Sequence, residues 1–405
     1  MTKGLTRSGR NWRWLCGLAL LGATIGIDSC LIDPKDYPVE SSSRSDADGG
    51  ESGSAGSAGD NLAGASSAGE GGTDTGAASS GFGGTLFPGG GVGGTVGTNG
   101  PPPSCAGLAA TCGPSGNGDC CASNVVTGVT TASFHRSYDG ATSGYTSQAY
   151  PARVSDFRLD TYEITVGRFR KFWNTYPGNM PAAGSGKNPN NASDPGWDAT
   201  WNTSSLPASQ AALTTKIECQ TTDQTWTAGN DALPMNCIDW FEAEAFCIWD
   251  GGRLPTEAEW NYAAAGGTQQ RVYPWGSAAL DCTYANFQGA AGGTDFCVAP
   301  GNGGVNRVGS ESPKGDGLYG QADLAGNVWE WVQDWYANAY TSPCSNCAYT
   351  TVLDGQLASG AVSDERVLRG GSFNNMASYL LSSYRYFGIP SYHSEAFGAR
   401  CARTR

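Results

Sequence analysis

The chain has 405 residues, which leaves room for two or three domains. Its 60 glycines beside only 15% charged residues exclude a helical bundle and point to low-complexity sequence joined to a loop-rich domain. A formal net charge of -13 leaves no basic patch to displace counterions, which argues against a nucleic-acid partner.

Residues 1–30 read as an export signal. Lys3, Arg7, Arg10 and Arg13 form a basic head, and Leu15 to Ile27 is apolar or small but short for a bilayer span. Ile27 and Ser29-Cys30 resemble the end of a bacterial lipoprotein signal, with Cys30 as the lipidated residue; ordinary secretion with cleavage nearby is the alternative. The expected location is the cell envelope or outside the cell, with any membrane contact made through the N-terminal anchor. Residues 31–104 follow as a linker. Between Gly49 and Gly100, 20 of 52 residues are glycine, and such sequence buries too little apolar surface to offset its ordering entropy. A flexible tether of this length reaches about 45 Å.

Residues 105–121 hold a cysteine cluster, Cys105, Cys112, Cys120 and Cys121. Adjacent cysteines pair poorly with each other, so Cys120 and Cys121 are expected to reach back to Cys105 and Cys112, in an order the spacing leaves open. Zinc is the competing reading, and export favours disulfides. Beyond Cys16 and Cys30, Cys219 and Cys237 bracket one loop, Cys282 and Cys297 another, and Cys344-Ser-Asn-Cys347 can close on itself. Cys247 and Cys401 remain, and are paired.

Residues 122–405 read as one α+β domain of long loops around a small sheet. Phe157 to Val166 alternates as a strand, and Thr165 then caps a helix carrying Val166, Phe169, Phe172 and Trp173. The polar stretch 178–236 reads as loop. Asp239 with Glu242, and Thr256 with Glu259, are capping boxes that open two further helices, ended by Gly251-Gly252 and Gly266. Val328, Glu330 and Val332 alternate with Trp329 and Trp331 as in a strand.

The chain carries neither a phosphate-binding glycine loop nor a nucleophile elbow. Its two histidines, His135 and His393, cannot make a three-histidine metal centre. Oxygen ligands are more plentiful. Asp323 and Glu330 with carbonyls of the Gly326-Asn327 turn, and Asn286 with Asp295, offer oxygens of the kind a hard cation prefers.

Six motifs occur in order: Gly252-Arg-Leu-Pro-Thr-Glu-Ala-Glu-Trp260, Tyr273-Pro-Trp-Gly276, Gly317-Leu-Tyr319, Asp323 to Trp331, Arg369-Gly-Gly-Ser-Phe373 and Phe397-Gly-Ala-Arg-Cys401. In this order they resemble the formylglycine-generating enzyme, or sulfatase-modifying factor, family over roughly residues 125–404. The resemblance implies the formylglycine-generating-enzyme fold with a C-type-lectin-like element and little regular secondary structure. It implies calcium at two sites, one using Asp323, Gly326 O, Val328 O and Glu330, the other Asn286, Phe287 O, Asp295 and Cys297 O. It also implies a disulfide from Cys247 to Cys401.

Active members of that family use two redox cysteines between the fifth and sixth motifs, bind copper, and oxidise a substrate cysteine to formylglycine. Here Phe373 to Arg400 contains no cysteine, and the corresponding positions fall near Tyr379–Ser382 and Tyr386–Gly388. Neither serine nor tyrosine replaces a thiolate as nucleophile or soft copper ligand, so copper is not expected. The iron-dependent branch of the family uses three histidines on an added helical domain, and this chain lacks both. Arg253 and Arg369 are expected to be buried ion-pair or loop-anchoring residues. The sequence therefore predicts a monomeric, calcium-stabilised binding module, with a groove near Tyr379–His393 for a peptide or protein ligand; the alternative is a formylglycine-generating oxidoreductase acting on the cysteine of sulfatase-type peptides through other thiols, with Cys344-Ser-Asn-Cys347 as a displaced redox pair.

Overall fold

The computed structural model describes residues 101–405 apart from 220–221, 228, 290–296, 298–303 and 351–363. The expected export signal, Cys30, nearly all of the linker, and Asp295 lie outside the described residues. The linker does not run to 104. Ser104 is fully buried, its N–H donates to Asp250 Oδ1 at 2.9 Å, and its hydroxyl accepts from Arg168 Nε at 3.0 Å.

Helix α1 (Val166–Thr175) opens where Thr165 accepts the Arg168 N–H, and its apolar stripe buries Val166, Phe169 and Phe172. Two short helices, α2 (Trp201–Ser204) and α3 (Gln210–Ile217), correct the reading of 178–236 as loop throughout. Only Leu213 and Ile217 of α3 are buried, so its periodic signal is weak. Both expected capping boxes form, at the starts of α4 (Trp240–Trp249) and α5 (Glu257–Ala264). Trp240 to Cys247 of α4 are all buried, as a helix packed on every side requires. Phe246 of α4 stacks on Phe169 of α1, with ring centroids 5.7 Å apart.

The strands are short and form three small sheets. In one, β1 (Ser123–Val126), β4 (Phe157–Asp160) and β10 (Ala402–Thr404) pair antiparallel with β4 central. In another, β3 (Pro151–Val154) lies between β2 (Val129–His135) and β6 (Cys344–Ser345). The third has the order β8-β7-β5-β9, from β5 (Trp329–Trp335), β7 (Arg366–Arg369), β8 (Tyr386–Gly388) and β9 (Phe397–Gly398). Strand β5 places Glu330 opposite Arg369 of β7 and beside Gly398 of β9. It is buried along nearly its whole length, so both faces pack: Trp331 is 0% and Glu330 1% exposed.

Among the described residues six disulfides staple this loop-rich frame. Cys105 pairs with Cys121 and Cys112 with Cys120, which resolves the order the spacing left open. Cys219–Cys237, Cys282–Cys297 and Cys344–Cys347 close the loops they bracket. Cys247–Cys401 ties α4 to the residue before β10. Among the described residues no helix is long and apolar enough to cross a membrane.

Candidate functional site

Glu330 sits where β5 crosses under α5 and the C-terminal turn. The Arg400 guanidinium grips it: Nε donates to both carboxylate oxygens at 2.9 and 2.8 Å, and Nη2 donates to Oε1 at 2.7 Å. The indole N–H of Trp260 donates to Oε2 at 2.8 Å. The remaining Arg400 hydrogens go to the carbonyls of Asp160, Thr161 and Ala322. A planar fork meeting a carboxylate in this way is the strong form of ion pair. The charge a calcium ion would draw from Glu330 is therefore already neutralised, and Glu330 does not fit as a free metal ligand in this arrangement.

Asp323 faces other acids instead. Its Oδ2 accepts the Gly309 N–H at 2.6 Å, and burial together with the Glu311 carboxylate pushes it up to about 8. Glu163 accepts from Asn327 Nδ2 at 2.6 Å and from the Val328 N–H at 3.2 Å; burial first, then Asp323 and Glu330, hold it well above the usual carboxylate range. Sequence reasoning missed Glu163 and Glu311, because neither lies in a motif and both reach Asp323 only through the fold. At the second expected calcium set, Asn286 Nδ2 donates to Gly304 O and Asn327 Oδ1 at 2.9 and 3.2 Å, while Asn286 Oδ1 is buried without a partner among the described residues. An orphaned buried acceptor fits a cation, since leaving such an atom unpaired costs about 1–3 kcal/mol. Phe287 O accepts the Cys297 N–H at 3.1 Å. Of the described side chains expected as calcium ligands, then, Asn286 and Asp323 remain open to a cation and Glu330 does not.

The positions expected for redox cysteines are occupied by packing side chains. Leu380 is fully buried and Leu381 is 6% exposed, while Tyr386, Phe387 and Gly388 pair with β7. Around them lies an aromatic face. Trp329 stacks on Tyr386 with centroids 5.2 Å apart, Tyr379 meets Tyr384 at 4.9 Å, and Tyr145 approaches Tyr384 at 6.5 Å. Beneath it Glu257 receives Arg385 Nε and Nη2 at 2.9 and 2.8 Å and the Tyr340 hydroxyl at 2.7 Å. Burial opposes the charge on Glu257, but Arg385 and Arg369 outweigh it and hold the group low. Arg253 and Arg369 take the anchoring roles expected of them. Arg253 forks onto Glu259 at 2.7 and 2.6 Å, and Arg369 donates to the carbonyls of Ser383 and Tyr384. Among the described residues every cysteine is in a disulfide, Cys344 and Cys347 included.

The sequence profile of the sulfatase-modifying factor enzyme 1-like domain matches residues 129–405. Formylglycine-generating enzyme of Mus musculus is 34% identical over 178 residues, which is 42% of this chain and 44% of that protein. The Streptomyces coelicolor enzyme of the same name is 36% identical over 188 residues, 43% of this chain and 54% of that protein. Inactive C-alpha-formylglycine-generating enzyme 2 of Bos taurus is 34% identical over 175 residues, 42% of this chain and 50% of that protein. The chain thus spans about half the length of these relatives. Among solved structures, PvdO from Pseudomonas aeruginosa superposes with a TM-score of 0.46 at 18% identity, covering 70% of this chain and 94% of that one.

Proposed function

The chain belongs to the sulfatase-modifying factor enzyme 1-like domain family, and from that premise we propose that it is an exported, envelope-tethered binding module and not a formylglycine-generating oxidase. The observation that carries this reading is the cysteine-free stretch from Phe373 to Arg400, with Leu380 packed in the core where a thiol is expected. A leucine neither attacks a disulfide nor holds copper. The names of the relatives span both an active and an inactive enzyme, which is consistent with a scaffold that outlives its chemistry. The half-buried rings of Tyr379, Tyr384 and Tyr386, backed by the buried Trp329, are the surface proposed to receive a peptide, since flat, rigid rings bind with little loss of side-chain freedom. Incubation of the full chain with copper and a Cys-x-Pro-x-Arg peptide is expected to leave the peptide mass unchanged. A mass loss matching conversion of thiol to aldehyde would defeat the reading.

Calcium belongs to the same proposal, as a structural ion. Asn286 Oδ1 would hold it, with Asp295 supplying charge, and a bound hard cation would satisfy the orphaned buried acceptor. Elemental analysis of the purified chain is expected to find calcium, and a chelator to lower the melting temperature. An Asn286→Ala variant is expected to lose bound calcium and the chelator response together. No calcium in the wild-type chain, and no shift with chelator, would remove the ion from the account.

A further inference from the structure

Two acids of one capping box and a histidine 151 positions after the second of them meet at the N-terminus of α4. Asp239 caps the helix, Glu242 lies in its first turn, and His393 comes from the loop that precedes β9. One ligand atom from each lies within 4.8 Å of the other two. His393 Nε2 is 3.1 Å from Glu242 Oε2 and 3.9 Å from Asp239 Oδ2. Both acids are buried, while the imidazole is 10% exposed and opens the cluster to solvent.

The proton arrangement is informative. His393 Nδ1 lies 3.1 Å from the Ser391 carbonyl, which can only accept, so Nδ1 carries a hydrogen. Nε2 then points a lone pair at two carboxylates unless a proton or a metal ion lies between them. The capping box occupies Asp239 Oδ1 and Glu242 Oε2 with backbone N–H groups, while Glu242 Oε1 is buried with no partner among the described residues. Burial opposes a charged imidazole, and Glu242, then Asp239, outweigh it, so the pocket favours positive charge at Nε2. The other groups facing the cluster are exposed Lys216 of α3 and the Tyr176 hydroxyl beyond α1, and neither places a cation between the acids.

The loop bearing His393 is fixed on both sides. The Trp240 N–H donates to Pro390 O at 2.9 Å and the Cys237 N–H donates to Ser394 O at 3.0 Å. The three side chains are thus preorganised by the helix start and its docked loop.

We propose that Asp239, Glu242 and His393 form a binding site for one divalent transition-metal ion of the zinc class, held by His393 Nε2 and one oxygen of each carboxylate. Mixed nitrogen and oxygen donors suit Zn²⁺, Mn²⁺ or Co²⁺; calcium takes oxygen donors alone. The Ser391 carbonyl orients the ring in the way metal-bound histidines usually require. Three protein ligands and a solvent opening leave a coordination position for water or a ligand atom.

The test uses the full chain, freed of metal with a chelator and returned to excess calcium, then titrated with Zn²⁺ and with Co²⁺. One equivalent is expected to bind, with a visible Co²⁺ spectrum that Zn²⁺ abolishes. His393→Ala and Glu242→Gln are each expected to weaken binding by more than about 100-fold, beyond what loss of a supporting residue alone causes. Metal-free His393→Ala is expected to keep the far-ultraviolet spectrum of the wild type at low temperature, which separates lost coordination from lost folding. No stoichiometric binding by the wild-type chain, or equal binding by His393→Ala, overturns the proposal; His393 would then be an imidazolium bridging two carboxylates.

Discussion

Replacing Glu330 by alanine is expected to destabilise the domain by about 3 kcal/mol, at the low end of the 3–5 kcal/mol typical of breaking a buried ion pair. The substitution leaves the fully buried Arg400 guanidinium without the carboxylate that takes its Nε and Nη2 hydrogens, and leaves the Trp260 indole N–H without an acceptor. Two effects set the magnitude. The carbonyls of Asp160, Thr161 and Ala322 keep part of the guanidinium satisfied. Glu163 and Asp323 also favour the charge on Arg400, so its attraction to acids does not fall to zero. A Glu330→Gln variant keeps an acceptor for Trp260 and most of the shape, and is expected to cost less than the alanine change. The midpoint of urea unfolding measures both. A loss below about 1 kcal/mol for Glu330→Ala would show that the neighbouring acids take over Arg400 completely.

This pair also marks where reading the sequence stopped short. Local rules carried far: Thr165, Asp239 and Thr256 each cap the helix expected of them, because capping depends on residues three positions apart. The disulfides that bracket loops were legible for the same reason. Glu330 was legible as an acid in a buried strand, but its partner lies 70 positions away, and two acids near a turn suit a cation as well as an arginine. Arg400 stood in a quoted motif, yet nothing local aims it at Glu330. Greater distances hid Glu163 beside Asp323 and His393 beside the capping box of α4, while Glu311, only 12 positions before Asp323, lies in a loop with no periodic signal. Helices α2 and α3 escaped because four residues, or eight of which only Leu213 and Ile217 are buried, carry too little apolar periodicity. In a domain of short strands and long loops, the charged groups are placed by tertiary contacts more than by the elements that bear them.

The loss of the Cys247–Cys401 bridge is expected to have the largest effect of any single cross-link. Its 154-residue separation corresponds to about 5 kcal/mol in the chain-entropy model, because opening it frees most of the domain's chain in the unfolded state. The Cys344–Cys347 bridge, separated by 3, corresponds to roughly 2 kcal/mol by the same relation. Both cysteines of the long bridge, one on α4 and the other just before β10, are fully buried, so the paired alanine variant also leaves unfilled space. Opposing this, the C-terminal strand has other anchors: Arg403 pairs with Asp160 and Asp250, and Ala402 exchanges backbone bonds with Arg253. These hold β10 in the native state but do not shrink the unfolded ensemble, and the bridge acts chiefly on that ensemble. A Cys247→Ala/Cys401→Ala chain is therefore expected to melt about 10–20 °C lower than the wild type while keeping its far-ultraviolet spectrum at low temperature. With whole-domain stabilities of about 5–15 kcal/mol, such a variant would stand near the limit of folding. An unchanged melting temperature would mean that Arg403 and the β4–β10 ladder, and not the disulfide, determine how long the two ends of this domain stay together.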